Sequence, residues 1–415
     1  MKTGRTSWMK WVVLGGIGTI IFVLMVIVVH DNLTEPFPGH ADFYSRWEGA
    51  RSFWIDGLNP YGAEASLNIH MGFYGRPALP EEDQVLFAYP MYTAILIAPL
   101  VLVDFAWAAA IIMVTMMALS IMALFMLFDL FKFRPNLIQM VFLGVFALLH
   151  YTISRGFILG QLGFISYVMY VITFWGLHKE RDTLAAVALA IATIKPQLGF
   201  LIVPFLLLWG LRAQRWQFVG AFIVSMLVLV GVSFVLVPTW LFDMWGQVTA
   251  YTEYAPPIPS DVLFEDILGL PANAKYIMFA GLWGLMLFGW YQVLVDKQLD
   301  HAMWVAVITL AVTNIASPVI ATPHFAVFMI PLIFYMKLLS RRPAHRRWSL
   351  ALLAIIFIGS WVLFATTVDR ETTLESWIMA YPEPILVLVS LWFTRHEWWE
   401  RGAVLQPASE SKLTT

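Results

Sequence analysis

Long apolar runs alternate with short polar connections along the chain, and the runs set the predicted elements. The first, Trp11 to Val29, follows Lys2, Arg5 and Lys10 and ends at His30-Asp31-Asn32. It exceeds the apolar core of a cleavable leader, and no small-residue cleavage site follows it. It therefore reads as an uncleaved first span with a cytoplasmic N-terminus. Further runs at 88–103, 106–130, 137–153, 162–177, 183–194, 197–211, 217–237, 276–295, 302–317, 324–339, 349–367 and 384–394 read as helical spans. A crossing helix needs about 20 mainly apolar residues, and several of these runs are shorter. Pro90, Pro99 and the Lys195-Pro196 pair interrupt the pattern. Such breaks persist only where protein or a water-filled cavity surrounds the backbone.

Composition leaves one class standing. Of 415 residues, 60% are hydrophobic and 13% charged, with a mean hydropathy of +0.75. Soluble domains carry roughly 45–50% apolar and about 25% charged residues, so a soluble enzyme is excluded, as is a disordered chain. The predicted fold is all-α, a polytopic membrane protein of roughly 12 transmembrane helices. Its 19 Trp suit two membrane interfaces. A net charge of −2 offers no basic stripe, so no nucleic-acid partner is expected. With Cys absent, disulfides and thiolate metal sites are excluded.

Charge sorts the connections. Segment 30–87 holds nine acids against Arg46, Arg51 and Arg76, segment 238–274 holds five acids and no Lys or Arg, and 368–383 holds four acids against Arg370. The remaining connections are short and basic: Lys132/Arg134, Lys179/Arg181, Arg212/Arg215, and Arg341 to Arg347. The positive-inside rule places the basic set in the cytoplasm and the acidic segments outside. Thirteen spans would leave the C-terminus outside, against the charge of 340–347, so one run must fail to cross. Reading 88–103 as re-entrant keeps every basic connection inside; a single broken span over 183–211 is the other solution. The tail 401–415 is polar and is expected to be a disordered cytoplasmic segment.

The most informative stretch follows the first span: His40-Ala41-Asp42-Phe43-Tyr44, Trp47, Gly57 and Asn59-Pro60-Tyr61. Phe43, Trp47 and Trp54 fall at roughly helical spacing, so an interfacial helix is predicted with these rings in the headgroup zone. Asp42 would open it, where a carboxylate suits the helix dipole and where a plain helix cap fits equally.

The ordered set of Asp42 with Tyr44, Gly57…Pro60-Tyr61, Tyr89-Pro90, Gly160-Gln161, Lys195-Pro196-Gln197 and Ser317-Pro318 followed by His324 resembles glycosyltransferase family 87. That family is a branch of the GT-C superfamily of polyprenyl-phosphate-sugar-dependent enzymes. The resemblance implies one GT-C-like transmembrane domain over 1–400, with the three acidic segments as external loops. It also implies an acidic catalytic residue in the first outer loop, which falls on Asp42. Some GT-C enzymes carry paired acids there, whereas here Ala41 adjoins Asp42; neither a metal ion nor another cofactor is expected.

The implied chemistry needs a general base for the acceptor hydroxyl and donors aimed at the departing lipid phosphate. Asp42 is assigned as base, with Lys195, His324 and Arg155 on the phosphate and Gln161 on phosphate or sugar hydroxyls. Tyr44 and Tyr61 join as substrate-binding residues. Residue pattern alone leaves plainer roles open: a snorkelling Lys195, an interface-anchoring Arg155, a hydrogen-bonded bystander in His324 and a helix joint at Gln161. Segment 238–274, with Pro256-Pro257, Pro259 and several acids, reads as a mobile lid or as an inert outer loop.

The function expected is inverting transfer of a hexose, mannose first, from a polyprenyl-phosphate donor to a glycolipid or glycan acceptor on the outer face of the plasma membrane. Membrane lipid is the remaining partner. Arabinofuranosyl transfer by the same mechanism is one alternative, and a transporter or lipid flippase is another. The transporter predicts repeat symmetry and ionisable residues deep in spans, and no internal repeat is visible in the sequence.

Overall fold

A computed structural model describes residues 5–37, 41–80, 82–254, 263–317, 321–341, 343–369, 375–402 and 405. Among these the regular elements are all helical, as expected of a polytopic membrane protein. Among the described residues seven helices are long and apolar enough to cross a membrane: Val12–Thr34, Phe105–Leu130, Trp216–Leu236, Lys275–Leu294, Leu299–Ala316, Thr322–Leu339 and Arg347–Thr367. An eighth crossing is supplied if Leu137–Leu149 and Tyr151–Ile158, bent by 45°, form one span. Among the described residues these helices leave the predicted number of roughly 12 unconfirmed, and Gly163–His178, Asp182–Ala192, Ile202–Arg212 and Ile378–Phe393 are shorter apolar helices. Eleven residues of helix, as in Asp182–Ala192, rise only about 16 Å against a hydrocarbon core of about 30 Å. His40, Pro318, the Pro256–Pro259 stretch and residues 406–415 lie outside the described residues.

The chain divides into two compact units, the first comprising Met1–Ala118, Phe157–Gly160 and Trp240–Tyr251. Within it, residues 88–103 form only a five-residue helix, Tyr92–Leu96, and a 3-10 turn, Ala98–Leu102. Pro90 and Pro99 leave no continuous helix to span a membrane. The helix Ala41–Trp54 takes up the carbonyls this broken segment releases. The indole of Trp47 donates to Leu100 O at 2.9 Å and that of Trp54 to Ala94 O at 2.9 Å. The rings predicted for the headgroup zone are thus partly withdrawn from it. Phe43 and Trp47 are buried in the protein, and Trp54 alone of the three is exposed. Buried broken backbone demands donors, and the indoles supply them.

The second unit comprises Leu119–Gly156, Gln161–Thr239 and Thr252–Thr415. Its core is the helix Ala302–Ala316 with the 3-10 turn Thr322–Phe328 and helix Met329–Leu339, buried along most of their length. Gly163–His178 lies against Asp182–Ala192 at close range, since a Cβ on Gly176 would sit 3.0 Å from that of Ala185. Small residues permit such approach between apolar helices. In contrast, Trp216–Leu236 and Pro343–Thr367 expose Ile223, Leu227, Ile355 and Val362, an apolar surface suited to lipid. The helix break at His150 has extended backbone (ψ 140°) without Pro or Gly. Its freed carbonyls are all engaged: Ala147 by Ser120, Leu148 by Ser154 and Leu149 by the Trp361 indole.

Candidate functional site

In the second unit, Lys195 occupies the break between Asp182–Ala192 and Pro196–Gly199. Proline disfavours helical backbone in the residue before it, and Lys195 is extended at φ −120°, ψ 88°. Its Nζ donates to Gln161 Oε1 at 2.8 Å and lies 2.7 Å from His324 Nε2. Gln161 comes from the turn ahead of Gly163–His178, and His324 from the 3-10 turn Thr322–Phe328. All three side chains are buried. An ammonium has donors and no acceptor, so His324 meets it with a lone pair at Nε2 and carries its ring proton on Nδ1.

Gly163 makes room for this cluster. A Cβ there would stand 3.0 Å from His324 Cδ2 and 3.2 Å from Lys195 Cδ. A fixed cation, an amide and an imidazole within one hydrogen-bonded group form a donor set suited to phosphate oxygens. Three of the residues singled out in the sequence are therefore brought together.

Arg155 is engaged elsewhere in the same unit. Its Nε is 3.3 Å from Glu375 Oε2, and its Nη1 donates to the Tyr151 hydroxyl at 3.3 Å. Tyr151 in turn donates to Glu375 Oε1 at 3.0 Å. Burial pushes the Glu375 carboxyl above the usual range, with the Arg155 charge acting against it.

In the first unit, Asp42 lies in the first turn of Ala41–Trp54. One turn on, Arg46 donates to the Asp42 carbonyl at 2.8 Å and to Ser45 Oγ at 2.6 Å. Its guanidinium stacks over the Tyr89 ring, 4.5 Å from the centroid. Burial raises the Tyr89 phenol to about 12, with Arg46 opposing and Asp42 adding to the shift. Tyr251 is likewise pushed up to about 12, first by burial and then by Asp83 and Asp42. Asp42 thus shares its surroundings with Arg46, Tyr89 and Tyr251, none of them among the substrate-binding residues expected from the sequence. Arg46 was visible as the residue one helical turn beyond Asp42. Tyr89 stood in the Tyr89-Pro90 pair, while Tyr251 carried no signal.

Tyr44 and Tyr61 are both held by contacts within the first unit. The Tyr44 hydroxyl fills the space over Gly72, where a Cβ would collide with it, and its ring meets Phe105 edge-on at 4.9 Å. Burial and then the Glu48 charge push its phenol to about 12. Tyr61 donates to the Tyr89 carbonyl at 2.6 Å, and burial raises its phenol. Gln247 completes this fastening by donating to Tyr61 O at 3.1 Å and accepting from Ala88 N at 2.8 Å. Gly160, with φ +56°, has a backbone that favours glycine, and a Cβ there would meet Phe43 Cβ at 2.6 Å.

The sequence profile of glycosyltransferase family 87 matches residues 87–323, more than half of the chain. Tyr89, Arg155, Gln161 and Lys195 fall inside this match, which ends one residue before His324; Asp42, Tyr44 and Tyr61 precede it. No curated protein matches the chain.

Proposed function

The chain belongs to glycosyltransferase family 87, and on that premise we propose that it moves a hexose, mannose first, from a polyprenyl-phosphate donor to a lipid or glycan acceptor. The reading places the reaction on the outer face of the plasma membrane, within one functional domain over residues 1–400. The observation that carries it is the buried group of Lys195, Gln161 and His324, with both contacts to the Lys195 Nζ within 2.8 Å.

In this reading the acceptor oxygen attacks the anomeric carbon as the bond from that carbon to the phosphate oxygen breaks. The electron pair leaves on the polyprenyl phosphate, and the hydroxyl proton passes to the Asp42 carboxylate. A single displacement inverts the anomeric centre. Lys195 offsets the charge that grows on the leaving phosphate, Gln161 holds the ammonium in place, and the Nδ1–H of His324 is a further donor. Arg155 pairs with Glu375 and Tyr151 rather than with Lys195, Gln161 or His324. Tyr44 and Tyr61 are tied within the first unit that carries Asp42.

Purified protein supplied with polyprenyl-phosphate mannose should transfer the sugar, and Asp42→Asn should lower turnover by about 10²–10⁴. Transfer from polyprenyl-phosphate arabinofuranose in preference would replace the hexose. Equal turnover by Asp42→Asn would remove the base, and no transfer from any lipid-linked sugar would favour transport.

A further inference from the structure

The second unit encloses an apolar cavity of about 120 Å³ that the Lys195 cluster does not use. Phe325, Met329 and Ile356 supply its apolar walls. Glu383, Leu386, Val387 and Ser390 line it at positions i, i+3, i+4 and i+7, one face of the helix Pro382–Phe393. That face runs about 10 Å along the helix axis. Leu352 and Leu386 line the cavity and are also exposed at the protein surface, so it reaches the surface beside apolar helices. Lipid is the component that meets such a surface. An engineered apolar cavity of about 150 Å³ stays dry and takes up benzene, so this one accepts roughly five or six carbons of a chain.

The polar part of the lining decides which lipid. His150 Nε2 lies 3.3 Å from Glu383 Oε1 and 3.1 Å from Ser360 Oγ, and its Nδ1 lies 3.1 Å from Thr152 Oγ1. The next residue, Tyr151, donates to Glu375, which also holds Arg155. Consecutive residues at the helix break thus engage two carboxylates, and the neighbouring guanidinium is already committed. A phosphate headgroup would bring a full negative charge to a buried site whose nearest guanidinium is already paired with Glu375, at a cost. Neutral sugar hydroxyls carry no charge to desolvate and would meet carboxyl oxygens as acceptors.

We propose that this cavity binds the acceptor and that the acceptor is a neutral glycolipid, its chain against Phe325 and Val387 and its sugar hydroxyls donating to Glu383. Naming the lipid as the acceptor rests on the glycosyl-transfer reading; the binding site itself does not. Three lipids with a diazirine in the chain probe it on the purified full chain: a neutral diglycosyl diacylglycerol, phosphatidylglycerol and a polyprenyl phosphate. Peptide mapping should place the glycolipid adduct in 325–332 and 383–390, about fivefold above the other two, the value of one net hydrogen bond. Val387→Trp should fill the cavity and abolish the adduct. Glu383→Leu should retain lipid labelling while equalising glycolipid and phosphatidylglycerol, a loss of preference that misfolding would not produce.

Equal labelling by phosphatidylglycerol in the wild type would overturn the proposal, as would preferential labelling by polyprenyl phosphate or no adduct in these segments. The assay reads binding without turnover. Labelling as expected from a protein that transfers no sugar would support the site and count against the transferase reading.

Discussion

Lys195 Nζ lies 2.7 Å from His324 Nε2, across 129 positions of sequence, with Gln161 Oε1 2.8 Å from the same nitrogen. This pairing fixes the direction of the hydrogen bond and puts a cation at a helix break. Lys195→Ala should lower kcat/KM for the lipid-linked donor by about 10²–10³, the usual loss when a preorganised donor to a developing oxyanion is removed. Lys195→Arg should restore part of it, because charge is kept while the fork geometry differs. Steady-state kinetics at varied donor concentration checks this. An alanine variant with wild-type kcat/KM would show that the lysine only anchors a helix end.

Gly163 offers a gentler perturbation of the same group. In Gly163→Ala the new methyl must displace His324, Leu198 or Lys195, whose nearest atoms would lie at 3.0–3.2 Å. Overpacking of this kind costs about 1–3 kcal/mol. Donor KM should rise while Tm falls only modestly, because the strain is delivered to the cluster. Thermal unfolding in detergent beside initial-rate kinetics separates the two; a fall in Tm with unchanged KM would count against a binding role.

The sequence made much of this legible, for physical reasons that differ by element. Hydropathy alone locates Val12–Thr34 and Trp216–Leu236, because a lipid-facing helix must be apolar on every side. The Lys195 break was equally plain, since a cation followed by proline interrupts an apolar run. The break at His150 was not, because nothing in its local sequence forbids helix and the bend is held by distant donors such as Trp361. Spacing alone places Phe43 and Trp47 at the interface. Their burial depends on the broken segment 92–102, which periodicity cannot see. Arg155 reads as a phosphate ligand from the sequence, whereas its partner Glu375 comes from the far end of the chain, which local sequence cannot show.

Tyr61 distinguishes fastening from binding. Its hydroxyl donates to the buried Tyr89 carbonyl at 2.6 Å. Tyr61→Phe removes that hydrogen bond, a loss of about 0.5–1.5 kcal/mol. The variant should unfold at a lower temperature with kcat and donor KM unchanged at temperatures where it stays folded. A raised KM with unaltered Tm would instead give the phenol a direct role with substrate.

Glu48 gives the first unit a pH dependence with a definite sign. It is buried within Ala41–Trp54, 3.5 Å from Ser52 Oγ and 3.8 Å from Arg51 Nη1. Burial lifts its carboxyl above the ordinary 4.5, outweighing the opposing Arg51 charge. The folded chain therefore holds this proton more tightly than the unfolded chain does. Ionisation opposes folding, so this contribution to stability falls as pH rises past 4.5 and is fully lost above the folded value. Glu48→Gln keeps the shape and removes the titration. Its Tm should exceed that of the wild type at about pH 7–8 and converge with it near pH 4, where the wild-type carboxyl is largely protonated in the folded chain. Thermal unfolding across that range checks the sign. A gap of equal size at both ends would assign the effect to packing, and a less stable variant at neutral pH would mean that the Arg51 ion pair outweighs burial.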